Sequence, residues 1–176
     1  AFALALTAWK YPNTGGYRVL PELNVACSGL SISAKKEEWL ALAGDNTNLR
    51  LALDELYKQF KDAPVLGSLI NPETSLGKGS LFELKWEEVG PLLSKALSGS
   101  KDIEKNELGV VAKGTANAAK ILADKFHWVT TNVPFKETKQ LVEATQKFIE
   151  KYYSAGKTNL ATAFVIRIKE ILAAGG

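Results

Sequence analysis

Apolar residues recur at helical spacing along most of the chain, beginning near Ser33 and continuing almost to the C-terminus. The clearest stripe follows the i, i+4, i+7, i+8 and i+11 positions of one helix face before it stops at Pro64. Its members are Leu49, Leu53, Leu56, Tyr57 and Phe60. Residues 1–32 differ, because Pro and Gly interrupt them every few positions, so no long regular element is expected there. The pattern predicts an extended N-terminal arm over 1–32 and a single helical domain over 33–176.

Stop signals divide the helical region into segments. A first helix is predicted from Ser33 as N-cap, carrying Trp39, until Gly44-Asp45-Asn46 interrupts it, where Asp45 could cap the next helix. Residues 62–80 contain two prolines and three glycines and predict a long loop. Its apolar island at 65–70 is expected to fold back onto the core, and the loop is a second candidate contact surface.

Four further helical stretches follow. They are predicted at Phe82 to Leu97, with a kink or restart at Gly90-Pro91; at Asp102 to about Trp128; from Pro134 to Tyr152; and from about Thr158 onward. Small residues make the second of these slim, so it is expected to be central. β-Branched residues leave a strand over 163–168 as the alternative for the last. The fold class predicted is all-α, an up-down bundle of four or five helices.

The basic residues are unusual in type rather than in number. The net charge is +3, and only three of the 22 basic residues are arginine. Arginine is the residue that reads phosphates and bases bidentately, whereas lysine acts as a hydrated point charge. This balance disfavours sequence-specific nucleic-acid recognition and favours electrostatic docking on an acidic protein surface.

Candidate chemistry is sparse. The motif Gly77-Lys78-Gly79-Ser80 lacks the spacing of a phosphate-binding loop. His127 is the single histidine and has no second histidine or catalytic cysteine to act with. His127 is therefore interpreted as a residue that caps a helix end or packs against it. Cys27 is the single cysteine and is interpreted as a small, semi-buried residue. Clustered carboxylates are interpreted as helix-start electrostatics. We therefore expect no enzyme activity, no cofactor and no metal.

Aromatic and lysine residues are the candidate docking groups. The arm is aromatic enough to need an anchor, either on its own bundle or on a partner. Lys136 with Lys139, and Lys147 with Lys151, share helix faces at i, i+3 and i, i+4, although a merely solvated polar face is the plain alternative. The predicted docking residues are Trp9, Tyr11, Tyr17, Arg18, Lys35, Lys36, Lys136, Lys139, Lys147 and Lys151.

A basic helical bundle with an extended arm, Trp39 ahead of Leu49-Arg50, and the pair Tyr152-Tyr153 together resemble the PsbQ family of extrinsic photosystem II proteins in its larger algal form. The resemblance covers roughly residues 39–156. The chain departs from the family in its extra Gly44-Asp45-Asn46 segment, its few basic residues near Arg50 and a further helix after Gly156.

The resemblance implies a non-enzymatic accessory subunit in the thylakoid lumen, peripheral to the membrane, that docks on subunits of a membrane-embedded complex and helps to retain the ions of the water-oxidising centre. No apolar stretch approaches the ~20 residues of a spanning helix. Ala1 fits either removal of an initiator Met or cleavage of a transit peptide. The alternative function is a nucleic-acid-binding helical small subunit of a CRISPR-type ribonucleoprotein complex; an enzyme that uses the 62–80 loop and an unassigned helical interaction protein are further possibilities.

Overall fold

The computed structural model describes residues 2–11, 16, 19, 24–75, 86–97, 102–133 and 135–175. Within these ranges the regular structure is helical, and extended pairing is limited to two isolated bridges, Phe126 with Leu172 and Glu137 with Asn159. The all-α prediction is therefore confirmed. The strand alternative at 163–168 is wrong, because these residues lie in a helix.

The helices have the following bounds in chain order. They are α1 (Phe2–Lys10), α2 (Lys36–Ala41), α3 (Thr47–Phe60), α4 (Ala63–Leu66), α5 (Pro72–Ser75), α6 (Trp86–Leu97), α7 (Ile103–Ala123), α8 (Glu143–Tyr152) and α9 (Leu160–Ile171). Short 3-10 turns lie at Gly67–Leu69, Thr138–Gln140 and Ser154–Gly156.

The main core lies between α2, α3, α6 and α7. The predicted stripe of α3 faces it, with Leu49, Leu53, Leu56 and Phe60 buried. Trp39 of α2 is fully buried, and its indole Nε1 donates a 2.7 Å hydrogen bond to the Leu53 carbonyl oxygen. This bond satisfies the single polar group of the largest core side chain, so α2 and α3 are joined by apolar packing and by a hydrogen bond.

Two helix starts differ from the prediction. The backbone N–H of Lys35 donates to Glu38 Oε2 at 3.1 Å, so α2 begins at Lys36 rather than next to Ser33. Asn46, not Asp45, caps α3, because its Oδ1 accepts a 2.9 Å hydrogen bond from the Leu49 N–H. Asn and Asp are equally strong N-cap residues. Asn46 is the one that takes the extended backbone conformation at the start of α3.

The arm contains more structure than its Pro and Gly content indicated. Residues Phe2–Lys10 form α1, a helix of nine residues in a region where no long regular element was expected. The end of the arm packs on its own bundle: Ile32 contacts the main core, and Asn117 Nδ2 donates to the Val25 carbonyl oxygen at 3.2 Å. Residues 25–32 are therefore held on the helical domain, whereas the choice between bundle and partner for the aromatic residues of the arm stays a prediction.

Residues 62–75 form no long helix, and buried apolar side chains hold this segment against the core. The predicted loop contains α4 and α5, and Leu66, Leu69 and Ile70 of its apolar island are buried as expected. Val65 remains 45% exposed. The rest of the predicted loop, residues 76–80, lies outside the described residues, as does the start of the helix predicted from Phe82.

Helix α7 packs along α6 and α3 and is central, as its small residues predicted. Its buried positions are Gly109, Ala112, Thr115, Ala116, Ala118 and Ala119. It ends at Ala123 rather than near Trp128, because the backbone of Phe126 bonds instead to the end of α9: its N–H donates to the Ile171 carbonyl at 2.8 Å, and its carbonyl accepts from Ala173 at 2.9 Å.

Helix α8 begins at Glu143, so the prediction of a helix from Pro134 is wrong; Pro134 itself lies outside the described residues. The reason is again tertiary. The Lys136 carbonyl accepts a 2.9 Å hydrogen bond from the Leu160 N–H, and the Thr138 N–H donates to the Thr158 carbonyl at 3.2 Å. Backbone groups that a helix would use internally are therefore committed to the segment before α9.

Candidate docking surface

The aromatic residues predicted for docking in the arm are exposed where the structure describes them. Trp9 is 49% and Tyr11 is 58% exposed, and Lys10 Nζ lies 5.6 Å from the centre of the Tyr11 ring. Tyr17 and Arg18 lie outside the described residues. Trp9 and Tyr11 therefore remain candidate contact residues.

Lys36 has a structural partner. Its Nζ lies 2.6 Å from Asp54 Oδ1, which joins α2 to α3, and Lys58 Nζ lies 2.7 Å from the other oxygen of the same carboxylate. Burial acts to raise the pKa of Asp54, but the hydrogen bonds from Lys36 and Lys58 outweigh burial and hold that pKa below its ordinary value. Lys36 therefore serves the fold, whereas Lys35 is exposed at the start of α2.

The two lysines of α8 lie one turn apart on an exposed surface. Lys147 Nζ pairs with Glu143 Oε1 at 2.6 Å, and this hydrogen bond lowers the pKa of the carboxyl. Lys151 Nζ lies 4.8 Å from the centre of the Tyr152 ring. Because such exposed pairs contribute little to stability, both cations can exchange their local partners for a stronger external one.

The structure gathers a third lysine beside Lys136 and Lys139. Residues 136–138 pair antiparallel with residues 158–160 through the backbone bonds described above and the Glu137–Asn159 bridge. This pairing brings Lys157, an exposed residue that the helix-face argument missed, next to the two predicted lysines. We call Lys136, Lys139 and Lys157 the lysine cluster. Only tertiary pairing joins its two parts, so no local spacing signals it.

Two of the most exposed aromatic side chains in the described residues lie between the end of α7 and this cluster. Phe135 is 92% exposed and immediately precedes Lys136, while Trp128 is 89% exposed and lies two residues after the Phe126–Leu172 bridge. His127, between Phe126 and Trp128, is exposed and lies four residues beyond the end of α7. The prediction that it caps or packs at a helix end is therefore wrong.

A groove with a volume of about 560 Å³ lies between α2 and the start of α7. Leu42, Leu108 and Val111 form part of its lining, and Glu38, Asp102, Glu104 and Glu107 provide its carboxylates. Two of these carboxylates serve helix starts, as predicted: Glu38 accepts from Lys35, and Asp102 Oδ1 accepts from the Lys105 N–H at 3.2 Å. Helix-start hydrogen bonds therefore account for two of the four carboxylates that line the groove.

A buried polar network in the C-terminal half was not foreseen. Arg167 of α9 is 1% exposed; its Nε and Nη2 donate to the carbonyls of Ser68 and Leu122, and its Nη1 lies 3.5 Å from Glu170 Oε2. Burial lowers the pKa of Arg167, but arginine stays protonated at physiological pH. The one available signal was a single charged residue inside the apolar run 163–168.

The same network includes Tyr153, whose hydroxyl donates to the Leu69 carbonyl, and Asn71, whose Nδ2 donates to Glu170 Oε2 at 2.8 Å. Lys125 Nζ closes it by donating to the Glu170 carbonyl at 2.7 Å. These contacts join α9 to residues 68–71 and to the end of α7, and the Tyr153 bond joins the end of α8 to the same segment. We therefore assign the network to the stability of the fold.

Other classes of site leave few traces in the described residues. Within the ranges given above, no group of three or more His, Cys, Asp or Glu residues is arranged to hold a metal ion. Cys27 is a free thiol and is exposed, which corrects the semi-buried position expected for it. Among the described helices, none has the length and apolarity needed to cross a membrane.

The chain matches no known protein family, no curated protein and no solved structure.

Proposed function

We propose that this protein is a non-enzymatic accessory subunit that docks electrostatically on an acidic surface of a large, membrane-embedded complex. The observation that carries the proposal is the concentration of exposed lysines between residues 136 and 157. Five lysines lie there, all exposed, against three glutamates. These five residues are Lys136, Lys139, Lys147, Lys151 and Lys157.

The resemblance to PsbQ proteins extends this proposal to a particular complex, photosystem II. The subunit would lie in the thylakoid lumen, and its lysines would face acidic surfaces of the complex near the water-oxidising centre. Lysine suits this role, because hydrated point charges steer association and tolerate an approximate fit. Binding of this kind weakens as salt rises, since the Debye length falls to about 3 Å near 1 M salt.

The test is rebinding of the purified protein to photosystem II membranes from which the extrinsic subunits have been washed with salt. We expect saturable rebinding at low salt that is lost at high salt. The variant Lys136→Gln/Lys139→Gln/Lys157→Gln should bind roughly tenfold more weakly, because each exposed ion pair contributes up to about 1 kcal/mol.

The matched control removes the same charge elsewhere. Lys61, Lys113 and Lys120 lie on other parts of the surface and are exposed, so their triple Gln variant should rebind like the wild type. Equal losses in both variants would show that only net charge matters, and no rebinding of the wild type would refute the assignment to this complex. Salt-sensitive binding to single-stranded RNA in place of membranes would favour the nucleic-acid function.

A further inference from the structure

An exposed aromatic loop runs beside α9 and is fastened at both ends. We define it as residues 127–133 and Phe135. Before it, Phe126 is bonded to the backbone at the C-terminal end of α9; after it, Lys136 is bonded to Leu160, the first residue of that helix. Because α9 has 12 residues, the two attachment points are separated by about 18 Å. The loop is thus held in place, although its side chains other than Val129 and Val133 are exposed.

The aromatic loop carries exposed rings and no acidic residue. Trp128 and Phe135 expose nearly nine-tenths or more of their surface. From His127 to Lys136 the sequence contains no Asp or Glu. The lysine cluster lies at the Phe135 end, and Glu137 is the one acidic residue of the pairing that forms it. An anionic surface can therefore approach both rings without meeting a like charge on the loop itself.

We propose that the aromatic loop and the lysine cluster bind the surface of an anionic lipid bilayer. Trp128 and Phe135 would enter the interface between headgroups and acyl chains, while Lys136, Lys139 and Lys157 contact anionic headgroups. Aromatic rings favour this interfacial region, and basic residues next to it are attracted to anionic lipid. The inference goes beyond the proposed function, which concerns a protein partner.

The exposure of the rings favours a bilayer over a protein as the occupant. A ring that is about 90% exposed stands out from the surface, and a folded partner would need a preformed pocket for each of two rings at separate places. A fluid interface adapts to both. Within the described part of the chain, no backbone–backbone hydrogen bond involves His127 to Val133, so these peptide groups must remain hydrated. Contact is therefore limited to the side chains and the headgroup region.

Vesicle flotation with the full chain tests this inference directly. The probes are phosphatidylcholine vesicles with and without phosphatidylglycerol, at low salt. We expect the wild type to float with the anionic vesicles alone. The variant Trp128→Ala/Phe135→Ala should partition at least about tenfold more weakly, because two rings lose their apolar contact. The triple Gln variant of the lysine cluster should lose about fivefold per lysine.

Matched controls separate this surface from general stickiness. Ile103 and Val110, one face of α7, are 74% and 72% exposed, and Ile103→Ala/Val110→Ala should float like the wild type. The variant Trp9→Ala/Tyr11→Ala removes the aromatic pair of the arm and should also float. Circular dichroism verifies that every variant is folded.

Fluorescence locates the contact. Brominated lipid should quench the emission of the wild type and of Trp9→Phe, and Trp128→Phe should lose most of the quenching. No flotation of the wild type, or loss of flotation in Trp9→Ala/Tyr11→Ala with retention in Trp128→Ala/Phe135→Ala, would overturn the inference. So would an aromatic-loop variant that floats normally but fails to rebind to stripped membranes, since the loop would then bind protein. The vesicles contain no protein, so the flotation and quenching outcomes are independent of the proposed function.

Discussion

The hydroxyl of Tyr153 donates a 2.7 Å hydrogen bond to the carbonyl oxygen of Leu69, 84 residues earlier in the chain. Both residues are almost completely buried, at 2% and 1% exposure. The bond ties the end of α8 to the segment between α4 and α5, within the smaller apolar cluster of the C-terminal half. It also connects that cluster with the Arg167 network, since Glu170 Oε2 lies 3.5 Å from the same hydroxyl.

Tyr153→Phe should therefore destabilise the protein although it removes a single oxygen. The Leu69 carbonyl would lose its partner in a buried place, which costs about 1–3 kcal/mol. Urea denaturation measures the change. Tyr152→Phe is the matched control, because it removes the same group from the half-buried neighbouring ring, and we expect a change below about 0.5 kcal/mol. Equal effects of the two variants would contradict the assigned role of the bond.

Alkaline pH should weaken the fold through the same residue. Burial raises the pKa of Tyr153 far above its ordinary value of about 10, and the Glu170 carboxylate adds to the shift, while Arg167 opposes it. Above pH ~10 the unfolded tyrosine loses its proton and the folded one retains it, so the unfolded state binds fewer protons and stability falls as pH rises.

The expected slope from this group approaches about 1.4 kcal/mol per pH unit above pH ~10, and below that pH the group contributes no slope. Denaturant titrations at several pH values, for the wild type and Tyr153→Phe, isolate the contribution of this one group. The stability difference between the two proteins should shrink as pH rises. A constant difference would show that Tyr153 ionises equally in both states.

Trp39→Phe should be much more costly than the same change at Trp128. Trp39 is fully buried and bonded to the Leu53 carbonyl, whereas Trp128 is 89% exposed. The first change removes the indole hydrogen bond and leaves a small cavity, although the Leu53 carbonyl keeps its bond within α3, and it should cost about 1–3 kcal/mol. The second should stay within about 0.5 kcal/mol. Thermal or urea unfolding, followed by circular dichroism, checks both variants.

Gly156→Ala should destabilise the turn between α8 and α9 for steric reasons. A Cβ at this position would lie 2.8 Å from the Ala163 backbone nitrogen and 2.9 Å from its Cα. Because backbone cannot move aside cheaply, we expect a loss of about 1–3 kcal/mol. Gly29→Ala is the control, since its Cβ would meet one atom at 3.9 Å. A loss in Gly29→Ala equal to that in Gly156→Ala would argue against a clash.

Local sequence signals predicted much of the helical core. The α3 stripe, the slim α7 and the burial of Leu66, Leu69 and Ile70 depend on apolar periodicity and small side chains, which act within one element. The errors occur at ends. Helix α7 stops early and α8 starts late because Phe126, Lys136 and Thr138 use their backbone groups to bind α9 and the segment before it, and no local pattern encodes a partner that lies 20 or more residues away.

The candidate surfaces show the same division. The sequence indicated lysines that share a helix face or lie next to each other. In the structure, Lys36 forms an ion pair with Asp54. Antiparallel backbone pairing brings together Lys136, Lys139 and Lys157. It also exposes Trp128 and Phe135, which composition alone would assign to the core.

By itself, the sequence determined the all-helical fold, the faces of its main helices and the lysine-rich charge, because periodicity and composition are properties of the chain. Only the tertiary structure decided which cations are free to act, which aromatics remain outside and where Arg167 is buried. Burial and long-range hydrogen bonding depend on which segments meet, and that is settled when the whole core packs.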